Sequence, residues 1–180
     1  RSTPKPSSAA SDVYKSQQFD VKPKFIMLDT MNFWMDNTLD NLLKIISKVD
    51  LICINDEEVI QLSGCKDYKN GIKKILNMGP KYLIMKKGED GSTLYSDKFE
   101  FFCPSFKIKK VIDPTGAGDS FAGAFAGHLA ESKNYTFESI SSALIYANAV
   151  ASFCVEKFGI ENMLNIYLIH MMVVPQCHYF

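Results

Sequence analysis

The chain has 180 residues, 47% of them hydrophobic, which is enough for one domain with a substantial core. Its 20 basic and 20 acidic side chains cancel, and no basic stripe or acidic tail stands out, which argues against a nucleic-acid partner. Polar residues interrupt every apolar run, Leu164 to Val174 included, so no membrane span is expected. Cys53, Cys65, Cys103, Cys154 and Cys177 are scattered without a Cys-x-x-Cys pair. That pattern suits reduced thiols in a cytoplasmic protein better than a disulfide framework or a zinc site.

Residues 1–18 are rich in Ser, Ala, Pro and Lys and read as a flexible leader or an adapter remnant. Residues 19–162 read as one domain, and 163–180 as an atypical C-terminal tail. Within the domain a strand is predicted near 24–29, a helix near 38–48 and a strand near 50–54. That second strand delivers Asn55-Asp56-Glu57-Glu58. Oxygen ligands of this kind suit Mg²⁺, which keeps several waters and takes few carboxylates. An N-cap with an acidic first turn explains the same residues without a ligand. Helices follow near 56–63 and 68–78, then a strand near 81–86, the turn Lys87-Gly88-Glu89-Asp90-Gly91 and a β run at 92–95.

Phe106 to Ile112 is also expected to be β-rich, and it leads into Asp113-Pro-Thr-Gly-Ala-Gly-Asp-Ser-Phe-Ala-Gly123, which opens a helix to about Ala130. Gly116, Ala117 and Gly118 then lie at a helix start, where backbone N–H groups lack intrahelical partners and the dipole is positive. Such a start can hold phosphate oxygens, and small residues let them approach. Asp119 in the first turn is badly placed to bind an anion but well placed to take a proton from an attacking hydroxyl. A helix cap is the structural alternative. A dinucleotide fingerprint fails, because its third glycine would fall on Phe121. The last predicted helix, Phe137 to Lys157, carries many small residues, which usually means close packing.

The Gly-Ala-Gly-Asp run resembles the second signature of the PfkB carbohydrate kinase family, the ribokinase-like sugar and nucleoside kinases. The resemblance implies ATP-dependent phosphoryl transfer to a hydroxyl, with Asp119 as base and Gly116, Ala117 and Gly118 as anion hole. Asn55 and Glu58 are similar to the family's Asn-x-x-Glu, which organises Mg²⁺, and Asp113 would brace its loop or approach a monovalent cation. Lys86, Gly88 and Gly91 match a turn beside the adenine nucleotide, and Asn148 a helix lining the adenine pocket. Asp29 and Asn32, with two residues between them, resemble a looser form of an Asp-x-Asn near the cleft, but the Arg that commonly follows is absent, so they receive no catalytic role.

The implied fold is α/β, doubly wound, with a mostly parallel sheet and helices on both faces. Candidate motifs after Ile54, Lys86 and Ile112 would meet at the carboxyl ends of strands. The resemblance covers about residues 24–160 and the family's C-terminal half, so the N-terminal half and lid are expected to be lacking. A full-length protein could be a homodimer, since the lid often forms the interface in relatives. The rival reading is a non-catalytic fragment that binds nucleotide or a partner chain.

Overall fold

The computed structural model describes residues 23–159 and 161–163. The expected leader at 1–18 and all but the first residue of the expected tail lie outside them. Five strands form one sheet in chain order: β1 (Met27–Asp29), β2 (Leu51–Asn55), β3 (Tyr82–Lys86), β4 (Ser92–Tyr95) and β5 (Glu100–Cys103). The first three are parallel, and β4 and β5 turn back antiparallel. Between β1 and β2 lie α1 (Asn32–Asn37) and α2 (Leu39–Ile46), and between β2 and β3 lie α3 (Asp56–Ser63) and α4 (Tyr68–Leu76). After β5 come α5 (Ala117–Ser132) and α6 (Phe137–Cys154).

Strand alternation sends side chains to two cores. Leu51, Cys53, Ile84 and Leu94 pack on one face against Phe121, Phe125 and Leu144 of α5 and α6. Ile52, Ile54, Leu83 and Met85 pack on the other against Leu42, Val59, Leu62 and Ile75 of α2, α3 and α4. Both faces of β2 and β3 are covered, which explains their nearly continuous apolar sequence. The expected α/β layering with helices on both faces is therefore present.

The helix expected near 38–48 is present as α2, and a further short helix, α1, precedes it across a break at Thr38 (φ −146°, ψ 39°). Thr38 N–H closes α1 on Trp34 O at 2.9 Å, while its carbonyl accepts from Asn41 N and Leu42 N to open α2. Phe106 to Ile112, expected to be β-rich, is not a strand. Its apolar–basic alternation mimics one, but its backbone is tied to the end of α6. Phe106 N–H donates to Ser152 Oγ (3.3 Å), Lys109 N–H to Glu156 Oε1 (3.2 Å) and Ile112 N–H to Val155 O (2.7 Å).

Ring contacts fix the polarity of the outer helices. At the α5–α6 junction Tyr135 stacks on Phe25, just before β1, with centroids 5.1 Å apart. Phe137 touches Tyr82, the first residue of β3, at 6.5 Å, and Phe99, just before β5, at 5.2 Å. The junction thus lies where the parallel strands begin. The 16 residues of α5 rise roughly 24 Å, so its N-terminus stands where those strands end.

Thr30, just past β1, holds the one buried side-chain polar atom without a hydrogen-bond partner among the described residues. Thr30→Val keeps the shape and removes that unpaired hydroxyl. It is expected to add about 1 kcal/mol of stability, seen as a melting temperature ~2–4 °C higher. A lower melting temperature would mean that the hydroxyl has a partner.

Candidate active site

The carboxyl ends of β1, β2 and β3 present Asp29, Asn55 and Lys86. Asn55 starts α3 in a reciprocal capping box. Its Oδ1 accepts from Glu58 N (2.7 Å), and Glu58 Oε2 accepts from Asn55 N (2.8 Å). The structural reading of Asn-x-x-Glu is therefore realised, and the box also locks both side chains at the strand end. Burial raises the Glu58 pKa above the ordinary carboxylate value, against the hydrogen bond from Asn55 and the nearby Lys86 charge. Lys86 Nζ lies 2.9 Å from Asp29 Oδ1. Burial opposes the Lys86 charge, but the charge and hydrogen bond of Asp29, with Glu58 nearby, outweigh it and hold its pKa above the usual lysine value. Burial pushes the Cys53 thiol up to about 12, so this sulfur stays protonated and unreactive near neutral pH.

The β3–β4 turn is closed by Lys87 N–H on Gly91 O (2.8 Å) and by a hydrogen bond from Ser105 Oγ to Glu89 O. Gly91 is buried at φ +96°, and a Cβ there would sit 2.3 Å from Cys103 O. Gly88, at φ +54°, is exposed with open space around it. Asn148 on α6 is buried and donates to Ser92 Oγ at 2.7 Å, which ties α6 to the start of β4.

At the start of α5, Gly116 supplies a left-handed turn (φ +82°) that a side chain would strain. Ala117 N–H turns back to Pro114 O at 3.2 Å. The amides of Gly118 and Asp119 have no backbone partner among the described residues, and both residues are exposed. A Cβ at Gly118 would meet nothing within 4 Å. Asp113 braces this loop: its Oδ1 accepts from Thr115 N (2.9 Å) and its Oδ2 from Gly159 N (3.5 Å). The Thr115 contact holds its carboxyl below the usual carboxylate range. The loop thus follows an irregular segment, not the strand end expected after Ile112, yet it reaches the same end of the sheet because α5 runs back along it.

These features resolve into a family. The profile of the pfkB family carbohydrate kinases matches residues 7–166. The chain belongs to this family. The matched span begins inside the stretch whose composition reads as a leader. The pfkB chain is 35% identical over 88 residues to the cytidine kinase of Thermococcus kodakarensis, covering 48% of this chain and 31% of that protein. It is 32% identical over 123 residues to fructokinase-2 of Oryza sativa subsp. japonica, covering 66% and 36%. The pfkB chain therefore spans about a third of the length of these relatives. Its fold superposes on the Vibrio cholerae O395 fructokinase solved with fructose, ADP and a calcium ion. That match has a TM-score of 0.77 and 18% identity, and covers 93% of this chain and 56% of that one.

The Gly116 to Asp119 loop, Asn55, Glu58 and Lys86 therefore lie at one end of one sheet, with Asn148 buried against β4. Sequence reasoning singled out Asp29 but gave it no role, because its partner Lys86 lies 57 residues away. A cavity of about 360 Å³ lies between α5 and α6, lined by Ser120, Gly123, Gly127, His128, Tyr146 and Met163. None of the strand-end residues borders it, although Ser120 of its lining directly follows Asp119. Among the described residues no group of three or more His, Cys, Asp or Glu could hold a metal ion by itself, and no helix is long and apolar enough to cross a membrane.

Proposed function

We propose that this chain is the C-terminal, nucleotide-handling part of an ATP-dependent kinase that phosphorylates a hydroxyl of a sugar or nucleoside. One observation carries the reading. The Gly118 and Asp119 amides have no backbone partner among the described residues and both residues are exposed at the N-terminus of α5, at the sheet end that also presents Asn55, Glu58 and Lys86. Relatives named as cytidine kinase and fructokinase support the acceptor class.

In this reading the amides hold charge on the transferring phosphoryl group, and such preorganised donors are worth about 3 kcal/mol each in a transition state. Gly116 and Ala117 shape the turn that aims them. Asp119 accepts the acceptor's proton as its oxygen attacks the γ-phosphorus and ADP departs. Lys86 meets the phosphates, while Gly88 and Gly91 let the β3–β4 turn border the nucleotide. Asn148 sets the height of α6 against that turn. Asn55 and Glu58 would hold a Mg²⁺ that keeps most of its waters, since they offer one buried carboxylate and an amide but no protein cage. Bound Mg²⁺ would supply neutralisation of the phosphate charge.

Titration calorimetry of the folded chain with Mg·ATP is expected to show saturable single-site binding; a folded chain that takes up no nucleotide would refute this reading. Gly118→Val tests the anion site, because a Cβ there meets nothing within 4 Å in the protein while the added bulk crowds an approaching phosphate. Mg·ATP affinity is expected to fall by about tenfold or more, or at least ~1.4 kcal/mol, with little change in melting temperature. Unchanged affinity would remove the amides from the assignment.

A further inference from the structure

Asp29 and Lys86 end β1 and β3, two strands that do not touch, with β2 between them. The register pairs Asp29 with Cys53 and Cys53 with Ile84, so Lys86 stands two residues further along β3 than the row of Asp29. Its side chain therefore reaches back diagonally across Cys53 to meet Asp29 Oδ1 at 2.9 Å. All three residues share the face that α5 and α6 cover, because Cys53 and Ile84 belong to that core. The two charged side chains keep only 22% and 29% of their exposure. This sets the pair apart from the exposed Lys81–Asp50 bridge, where the lysine keeps 74%.

A lysine is a point charge on a flexible four-carbon stem, and fixing it costs rotamer entropy. Its ammonium has three donors, and Asp29 takes one of them. We infer that Asp29 is a positioning residue: it pins the Lys86 ammonium across β2, so that the remaining donors face the phosphates of a nucleotide held at the N-terminus of α5. Asp29 itself touches no substrate. Its reach is one residue pair, and its effect passes entirely through Lys86. This rests on the kinase reading above.

The test is a double-mutant cycle on the whole chain, with Mg·ATP and adenosine titrated separately and melting temperatures recorded. Asp29→Asn is expected to weaken Mg·ATP binding by about tenfold and to leave adenosine affinity unchanged. Asp29→Glu, which keeps the charge, is expected to recover most of the loss. In a Lys86→Ala background, Asp29→Asn should add nothing further. Wild-type protein that binds no Mg·ATP would sink the kinase reading and this inference with it. Wild-type binding with equal binding by Asp29→Asn would overturn the inference alone. So would a parallel loss of ATP and adenosine affinity with a lowered melting temperature, or a further loss in the Lys86→Ala background.

Discussion

Asp119→Asn is expected to lower phosphoryl transfer in the whole kinase by ~10²–10⁴-fold, with Mg·ATP affinity and melting temperature close to wild type. The contrast follows from where Asp119 sits. It is exposed in the first turn of α5, and its carboxylate makes no hydrogen bond among the described residues. An isosteric amide therefore disturbs no packing. The lost charge near the helix N-terminus costs only about 0.3–1 kcal/mol. What the amide cannot do is accept the acceptor's proton. Acceptor-dependent ADP release, measured beside nucleotide affinity, separates the two effects. Turnover within about threefold of wild type, far inside the range for a lost general base, would take Asp119 out of the mechanism.

Gly91→Ala should produce the largest loss of stability. Its added Cβ would lie 2.3 Å from Cys103 O, 2.6 Å from Ser105 N and 2.8 Å from the Pro104 carbonyl carbon. These are backbone atoms of β5 and the residues after it, so no side chain can swing away. The φ of +96° adds strain for any L side chain. A loss of about 3 kcal/mol or more is expected, which lowers the melting temperature by roughly 6–12 °C. Nucleotide affinity should fall with it, because the β3–β4 turn opens away from Ser105. Gly88→Ala is the control: its left-handed φ costs only about 1–2 kcal/mol, and its Cβ would meet nothing within 4 Å. Similar melting of the two variants would mean that β4 and β5 are not packed this closely.

The two glycines match the same turn in the sequence, and nothing in Gly-x-x-Gly tells them apart. Only the return of β5 beside β4 makes one of them a close approach. Asn148 shows the same limit. Its helix and its small neighbours were legible, whereas its bond to Ser92 Oγ spans 56 residues and depends on how α6 lies across β4. Asp29 carried a motif-like signal but no role, because the role depends on a partner 57 residues away.

By itself the sequence determined the alternation of strands and helices, the N-cap at Asn55 with its acidic first turn, the hairpin around Gly88 and the loop that opens α5. Each of these is a local matter: side-chain periodicity, a cap reaching three residues on, or a glycine in a turn. Tertiary structure decided which β-like segment became a strand, since Phe106 to Ile112 has the alternation and found the end of α6 instead of a neighbouring strand. It also decided that Lys86 meets Asp29, that Gly91 admits no side chain, and that the α5 loop reaches the strand ends. Strand pairing, ion pairs across a sheet and close backbone approach all depend on register between distant segments, and a local pattern does not encode that register.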